Sequence, residues 1–211
     1  ARYRGLKSAV ICPDYSEASK FGDIWLSVKQ GTDSALAMAM GHVILREFHL
    51  DRQADYFEDY CRRYTDMPML VKLVGKDGHF IPDRFLRASD FTGNLDETNN
   101  PEWKTVAVDA RTNQLVSPGG SIGYRWGEQG KWNLEPKDGK GNEVDLAMSF
   151  ILDGDHDTVA NVGFPYFGNR EHDYFEGTDH ESVLVRKVPA RKIKLADGEV
   201  LVATVFDLFV A

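Results

Sequence analysis

"SAVICPDYSEASKFGDIWLSVKQGTDSALAMAMGHVILREF", residues 8–48, decides the fold. Residues 8–12 are a short apolar run that Pro13 ends, the pattern of a strand. Asp14 and Glu17 have capping-box spacing for a short helix, through about Phe21, that stops at Gly22. Residues 24–28 form a second strand, and a helix runs over 33–48 with Leu36, Met40, Val43 and Ile44 at three- and four-residue steps on one face. Each strand thus leads through a loop into a helix, and open α/β sheets bind ligands at such strand ends.

Outward from this stretch, residues 52–64 read as a helix with Tyr56, Phe57, Tyr60, Cys61 and Tyr64 on its buried side, and 69–74 as a strand. This alternation is that of an α/β sheet with parallel pairing. From 75 to about 100 there are helix fragments between turn signals. Strands follow over 104–109, 144–151, 183–188, 191–195 and 200–208, and Asp197-Gly198 marks a hairpin turn. The expected architecture is an α/β segment over 1–75 followed by an irregular, strand-rich α+β segment over 76–211.

The chain has 211 residues, enough for a sizeable core, with 25 basic against 33 acidic residues and a net charge of −8. That balance argues against nucleic acid as a partner, which calls for a clustered basic face. Cys12 and Cys61 match neither a metal motif nor a disulfide framework and are expected to be free, buried thiols in a reducing compartment. No apolar run approaches the ~20 residues of a membrane span. The start at Ala1 lacks signal-peptide anatomy and an initiator Met, so the chain is expected to be a piece cut from a longer one.

The two strand-end corners carry the candidate chemistry. A carboxylate there, from Asp14 or Asp33, accepts hydrogen bonds from sugar hydroxyls or from the amino and imino groups of a base. Asp33 also suits a plain helix N-cap, worth about 1 kcal/mol; Gly31 favours close approach of a ligand. Other motifs fail. The acidic run 153–157 opens like a calcium loop but has Thr158 where a glycine belongs and Phe164 where a glutamate belongs. Gly127 to Lys131 lacks the spacing of a phosphate loop. His42 and His49, and His172 and His180, have no third ligand at useful spacing. The glycine- and aromatic-rich stretch 119–133 suits an ordered Ω-type loop on its own domain, or a loop packed on a cofactor or on another domain. No catalytic constellation is present.

Six segments in order, "DIWLSVKQGTDSALAMAMGHVILREFHLD" (23–51), "YCRRYTDMPMLVKL" (60–73), "NNPEWKTVAV" (99–108), "GSIGYRWGEQGKWNL" (120–134), "VGFPYFG" (162–168) and "ATVFDL" (203–208), resemble the catalytic alpha subunit of membrane-bound respiratory nitrate reductase. This family lies within the dimethyl sulfoxide reductase superfamily. The resemblance covers nearly the whole chain and weakens over 137–161 and 169–181.

The resemblance implies a Rossmann-like parallel layer in the first segment, whose strand-end loops hold the guanosine end of one pterin dinucleotide. Carried over, those loops are Pro13, Asp14, Tyr15 and Ser16, and Gly31, Thr32 and Asp33. Many relatives have proline where this chain has Val28. The implied cofactors of the full subunit are molybdenum bis(molybdopterin guanine dinucleotide) and a 4Fe-4S cluster. The cluster cysteines and the molybdenum-ligating aspartate lie upstream of the matching region. No metal ligand and no catalytic residue is therefore expected here. The implied reaction is oxygen-atom transfer from nitrate. Electrons come from quinol through a haem b gamma subunit and an iron–sulfur beta subunit. The implied location is peripheral, on the cytoplasmic face of the cell membrane. Chlorate, perchlorate and selenate reductases and nitrite oxidoreductase share this scaffold. A stand-alone nucleotide-binding or interaction module is the alternative of another class.

Overall fold

The computed structural model describes residues 2–50, 55–97, 99–120, 134–152, 156–165 and 183–211. The stretch 121–133, the acidic residues 153–155, His172 and His180 lie outside the described residues. The chain divides into two compact units, Ala1–Asp51 and Arg52–Ala211.

In the first unit, β1 (Ala9–Ile11) and β2 (Ile24–Leu26) pair in parallel, with Val10 opposite Trp25. A parallel pair needs a crossover of about a dozen residues, and residues 12–23 supply it. They do so without the expected helix. The Asp14–Glu17 capping box does not form; Glu17 instead pairs with Lys20 at 2.6 Å, and only a 3-10 turn at Ser19–Phe21 is helical. Gly22 does not adopt the left-handed conformation (φ −81°). A Cβ there would lie 2.7 Å from Val10 Cγ2, so glycine lets the crossover pass close against β1.

Helix α1 (Asp33–Ile44) continues as a π-helical stretch, Leu45–Leu50. Its apolar face is legible in the sequence but stays open: Met40, Val43 and Ile44 are exposed and Leu36 is half-buried. Two three-residue strands offer too little sheet to cover a helix. Among the described residues of this unit only Ser19 and Leu45 are buried.

The second unit begins with α2 (Asp55–Tyr64). Cys61 is its buried residue and Phe57 is half-buried, whereas Tyr56, Tyr60 and Tyr64 are exposed, against expectation, with consecutive rings 6.4 and 5.0 Å apart. β3 (Leu70–Lys76) is not the next parallel strand. Asp77 (φ 48°) and Gly78 (φ 84°) make a two-residue turn of the kind that favours hairpins. The chain therefore reverses at once into β4 (His79–Phe85), antiparallel to β3. Pro82 has no N–H to give the ladder, and the register shifts beside it, between Val71 and Leu73. That irregularity hides β4 from a reading by alternation.

The hairpin β5 (Ala107–Asp109) and β6 (Gln114–Val116) follows, then the pair β7 (Gly119–Gly120) and β8 (Leu134–Lys137). β9 (Thr158–Pro165), β10 (Val183–Leu195) and β11 (Gly198–Thr204) complete the strands, and α3 (Val205–Val210) ends the chain. β10, β11, β3, β4 and β9 close into a barrel in that order, antiparallel except at the single pair Phe80–Val162. Among the described residues parallel pairing is thus borne out by β1 with β2 and by the single β4–β9 pair; mixed helix and sheet content is present, but the sheet that organises most of these residues is antiparallel.

Burial explains the barrel. Val202 belongs to one buried cluster with Leu70, Leu86, Phe91, Val106, Phe150 and Ile193, while the next residue, Ala203, belongs to another with Leu73, Val162 and Val188. Consecutive residues of a strand point to opposite faces, so β11 is buried on both. Residues 144–150 are an extended, buried segment rather than a ladder strand, tied by the Ala147 N–H to the Val108 carbonyl at 2.9 Å. Residues 205–208, expected as strand, form the start of α3, because Thr204 caps it by accepting from the Asp207 N–H at 3.0 Å.

Candidate functional site

Parallel pairing sets the carboxyl ends of β1 and β2 side by side, and the two candidate loops leave from there. The Cys12 N–H donates to the Leu26 carbonyl at 3.3 Å, the Trp25 indole N–H to the Cys12 carbonyl at 3.0 Å, and the Ser27 hydroxyl to the Pro13 carbonyl at 3.2 Å. Tyr15 meets Trp25 edge-on, with ring centroids 5.1 Å apart. The first loop, Pro13, Asp14, Tyr15 and Ser16, is therefore anchored to β2 and to the residue that follows it.

Within that loop the Asp14 carbonyl accepts from the Ser16 N–H at 2.8 Å, the Cys12 thiol at 2.9 Å and the Ser19 hydroxyl at 3.3 Å. The Asp14 side chain is exposed. Contrary to expectation, Cys12 is half-buried rather than buried. Its thiol is held below the ordinary cysteine range, chiefly by the Ser19 hydroxyl, with smaller help from Ser16 and Trp25. Cys61 is buried, and burial pushes its thiol up to about 11. Both cysteines are free.

The second loop turns at Gly31 with φ +78°. An added Cβ would meet nothing within 4 Å, so conformation, not crowding, demands glycine here. Thr32, not Asp33, is the N-cap, and its hydroxyl donates to the Lys29 carbonyl at 2.7 Å instead of capping. Asp33 lies one position inside, in the first turn, where the helix dipole favours a carboxylate by about 0.3–1 kcal/mol. The Asp33 side chain is exposed, and among the described residues neither its carboxylate nor that of Asp14 has a hydrogen-bond or ion-pair partner. An acceptor-only group in this state suits the N–H groups of a base or the hydroxyls of a sugar.

The supporting residues Cys12, Ser19, Trp25 and Ser27 are not evident from the sequence. Their partners are backbone carbonyls brought near by the parallel register, and no local spacing signals that.

The second unit holds a competing concavity of about 490 Å³, bordered by Thr92, Asp96, Lys104, Asp138 and Lys140. Its charges answer one another: Lys140 pairs with Asp96 at 2.8 Å, and Asp138 accepts from the Lys140 and Asn142 N–H groups. Among the described residues no cluster of three His, Cys, Asp or Glu side chains is placed to hold a metal ion. Nor is any described helix long and apolar enough to cross a membrane.

The two candidate loops thus leave the carboxyl ends of a parallel strand pair, the position at which open α/β sheets bind ligands, and the second leads into a helix. No family model matches the chain. Across its whole length the chain is 53% identical to respiratory nitrate reductase 1 alpha chain of Escherichia coli and 41% identical to nitrate reductase alpha chain of Bacillus subtilis. It covers 17% and 16% of those two proteins. A more distant relative, dimethylsulfide dehydrogenase subunit alpha of Rhodovulum sulfidophilum, is 32% identical over 58% of the chain. The chain is thus homologous, from one end to the other, to one segment of nitrate reductase alpha chains.

Proposed function

We propose that this chain is the segment of a molybdenum-dependent nitrate reductase alpha subunit that grips the guanosine end of a molybdopterin guanine dinucleotide. The observation that carries the reading is the pair of exposed carboxylates, Asp14 and Asp33, on adjoining strand-end loops, neither with a partner among the described residues. Their chemistry fits the group: a carboxylate accepts two parallel hydrogen bonds, and guanine presents N1–H and N2–H₂ side by side. Asp33 would take the base edge and Asp14 a ribose hydroxyl, with Gly31 bringing the turn close and Tyr15 lining the first loop. When bound, the cofactor supplies oxygen-atom transfer chemistry, nitrate to nitrite. The share of this chain is to bind and orient its nucleotide tail.

The partners in this reading are the rest of the alpha subunit, an iron–sulfur beta subunit and a haem b gamma subunit that draws electrons from quinol. The assembly would sit peripherally on the cytoplasmic face of the membrane. The open apolar face of α1 supports a covering partner, since a contiguous exposed apolar face marks an interaction surface.

The test is Asp33→Ala in the full-length subunit. Guanine nucleotide and molybdenum retained per subunit are expected to fall at least tenfold, because each charge-assisted hydrogen bond contributes about 1.5–3 kcal/mol. Stability of the cofactor-free subunit is expected to change by no more than about 1 kcal/mol. Lost stability with unchanged cofactor content would leave Asp33 a helix-end residue only.

A further inference from the structure

The first unit leaves nearly every residue open to solvent, yet buries a serine. Ser19 is 3% exposed, and its hydroxyl lies 3.0 Å from the Cys12 thiol and 3.3 Å from the Asp14 carbonyl, which the same thiol reaches at 2.9 Å. Two protons serve these three contacts. Both can be donated to the Asp14 carbonyl, or one is donated there and the other across the Cys12–Ser19 contact, so the two side chains hold the same carbonyl together. The Ser16 N–H adds a third donor at 2.8 Å. The Asp14 carbonyl is thereby fixed from inside the crossover while its carboxylate stays at the surface.

We propose that Cys12 and Ser19 are positioning residues of the cofactor-tail site: together they lock the backbone of Asp14 so that its carboxylate is presented to the nucleotide. The inference rests on the cofactor-tail reading given above. A hydroxyl at position 12 can replace the thiol as donor and acceptor, whereas a methyl group can do neither.

The experiment uses the full-length subunit loaded with its cofactor. The rate of loss of guanine nucleotide is measured after transfer to cofactor-free buffer, alongside the melting temperature of the cofactor-free protein. Cys12→Ala and Ser19→Ala are each expected to speed the loss about fivefold, the equivalent of one net hydrogen bond. Cys12→Ser is expected to stay within twofold of the wild type, and Asp14→Ala to speed the loss at least as much as Cys12→Ala. Should Asp14→Ala leave the rate unchanged, the cofactor-tail reading itself falls. If Asp14→Ala speeds the loss while Cys12→Ala and Ser19→Ala do not, only the positioning proposal is overturned. It is overturned also if Cys12→Ser loses cofactor as fast as Cys12→Ala, or if the rates merely follow a lowered melting temperature.

Discussion

Asp207 is the most consequential buried charge in the second unit, and replacing it with alanine has a calculable effect. Its side chain is fully buried. One carboxylate oxygen accepts from the Ser149 hydroxyl and the other from the Phe150 N–H at 2.7 Å. Ser149 in turn accepts from the Ile151 and Leu152 N–H groups at 3.1 Å, so its proton is committed to Asp207. Asp207→Ala orphans two buried donors at about 1–3 kcal/mol each, a loss of roughly 2–6 kcal/mol. Burial pushes the carboxyl up to about 6 from 3.8, against the hydrogen bonds that favour the charged form. A group with a raised folded pKa stabilises fully below its unfolded value and loses that contribution as pH climbs through the folded one. Wild-type stability from this group should therefore decline between about pH 4 and pH 7, by some 2–3 kcal/mol at about 1.4 kcal/mol per pKa unit. The variant lacks this decline, so the gap between the two proteins narrows as pH rises. Hydrogen exchange at the Phe150 amide reports both effects once intrinsic rates are corrected. Protection should fall at least thirtyfold in the variant at pH 5, and by clearly less at pH 8. Unchanged protection, or a gap constant with pH, would refute the assignment of Asp207 as a clasp between residues 149–150 and α3.

Two further outcomes follow from local geometry. Gly78 sits at φ +84° with open space around an added Cβ, so Gly78→Ala should cost about 1 kcal/mol from conformation alone, read from the unfolding midpoint of the second unit; a cost above about 3 kcal/mol would mean a steric clash instead. Alkylation near pH 8 with peptide mapping should label Cys12, half-buried and with its thiol held low, well before Cys61, buried and raised to about 11; equal labelling would contradict the two environments.

What the sequence reveals here depends on the range of the forces involved. β1, β2 and α1 are legible because apolar runs, Pro13 and the Gly31 turn act within a few residues. The same local logic misleads at 69–74, where an α/β rhythm suggests another parallel strand. The Asp77-Gly78 turn and the missing N–H of Pro82 govern instead, and they commit β3 to a barrel in which its neighbour β11 lies more than a hundred residues away. Tyr56, Tyr60 and Tyr64 show a second limit. Helical spacing places them on one face but does not say whether anything covers it. At the candidate site, Asp14 and Asp33 stand out in the sequence as carboxylates at strand ends. That Thr32 rather than Asp33 occupies the cap, and that Ser19 and Cys12 hold Asp14, depends on hydrogen bonds to carbonyls that only the folded crossover brings together.

In the proposed function the loops at 13–16 and 31–33 meet the guanosine end of the cofactor. A structure of the full-length subunit with its cofactor bound tests it most directly, through the distances from the Asp14 and Asp33 carboxylates to the nucleotide. The Asp33 carboxylate is expected at about 3 Å from guanine N1 and N2, with Asp14 at a similar distance from the ribose. A guanosine held elsewhere, with both carboxylates turned to water or to protein, would contradict it.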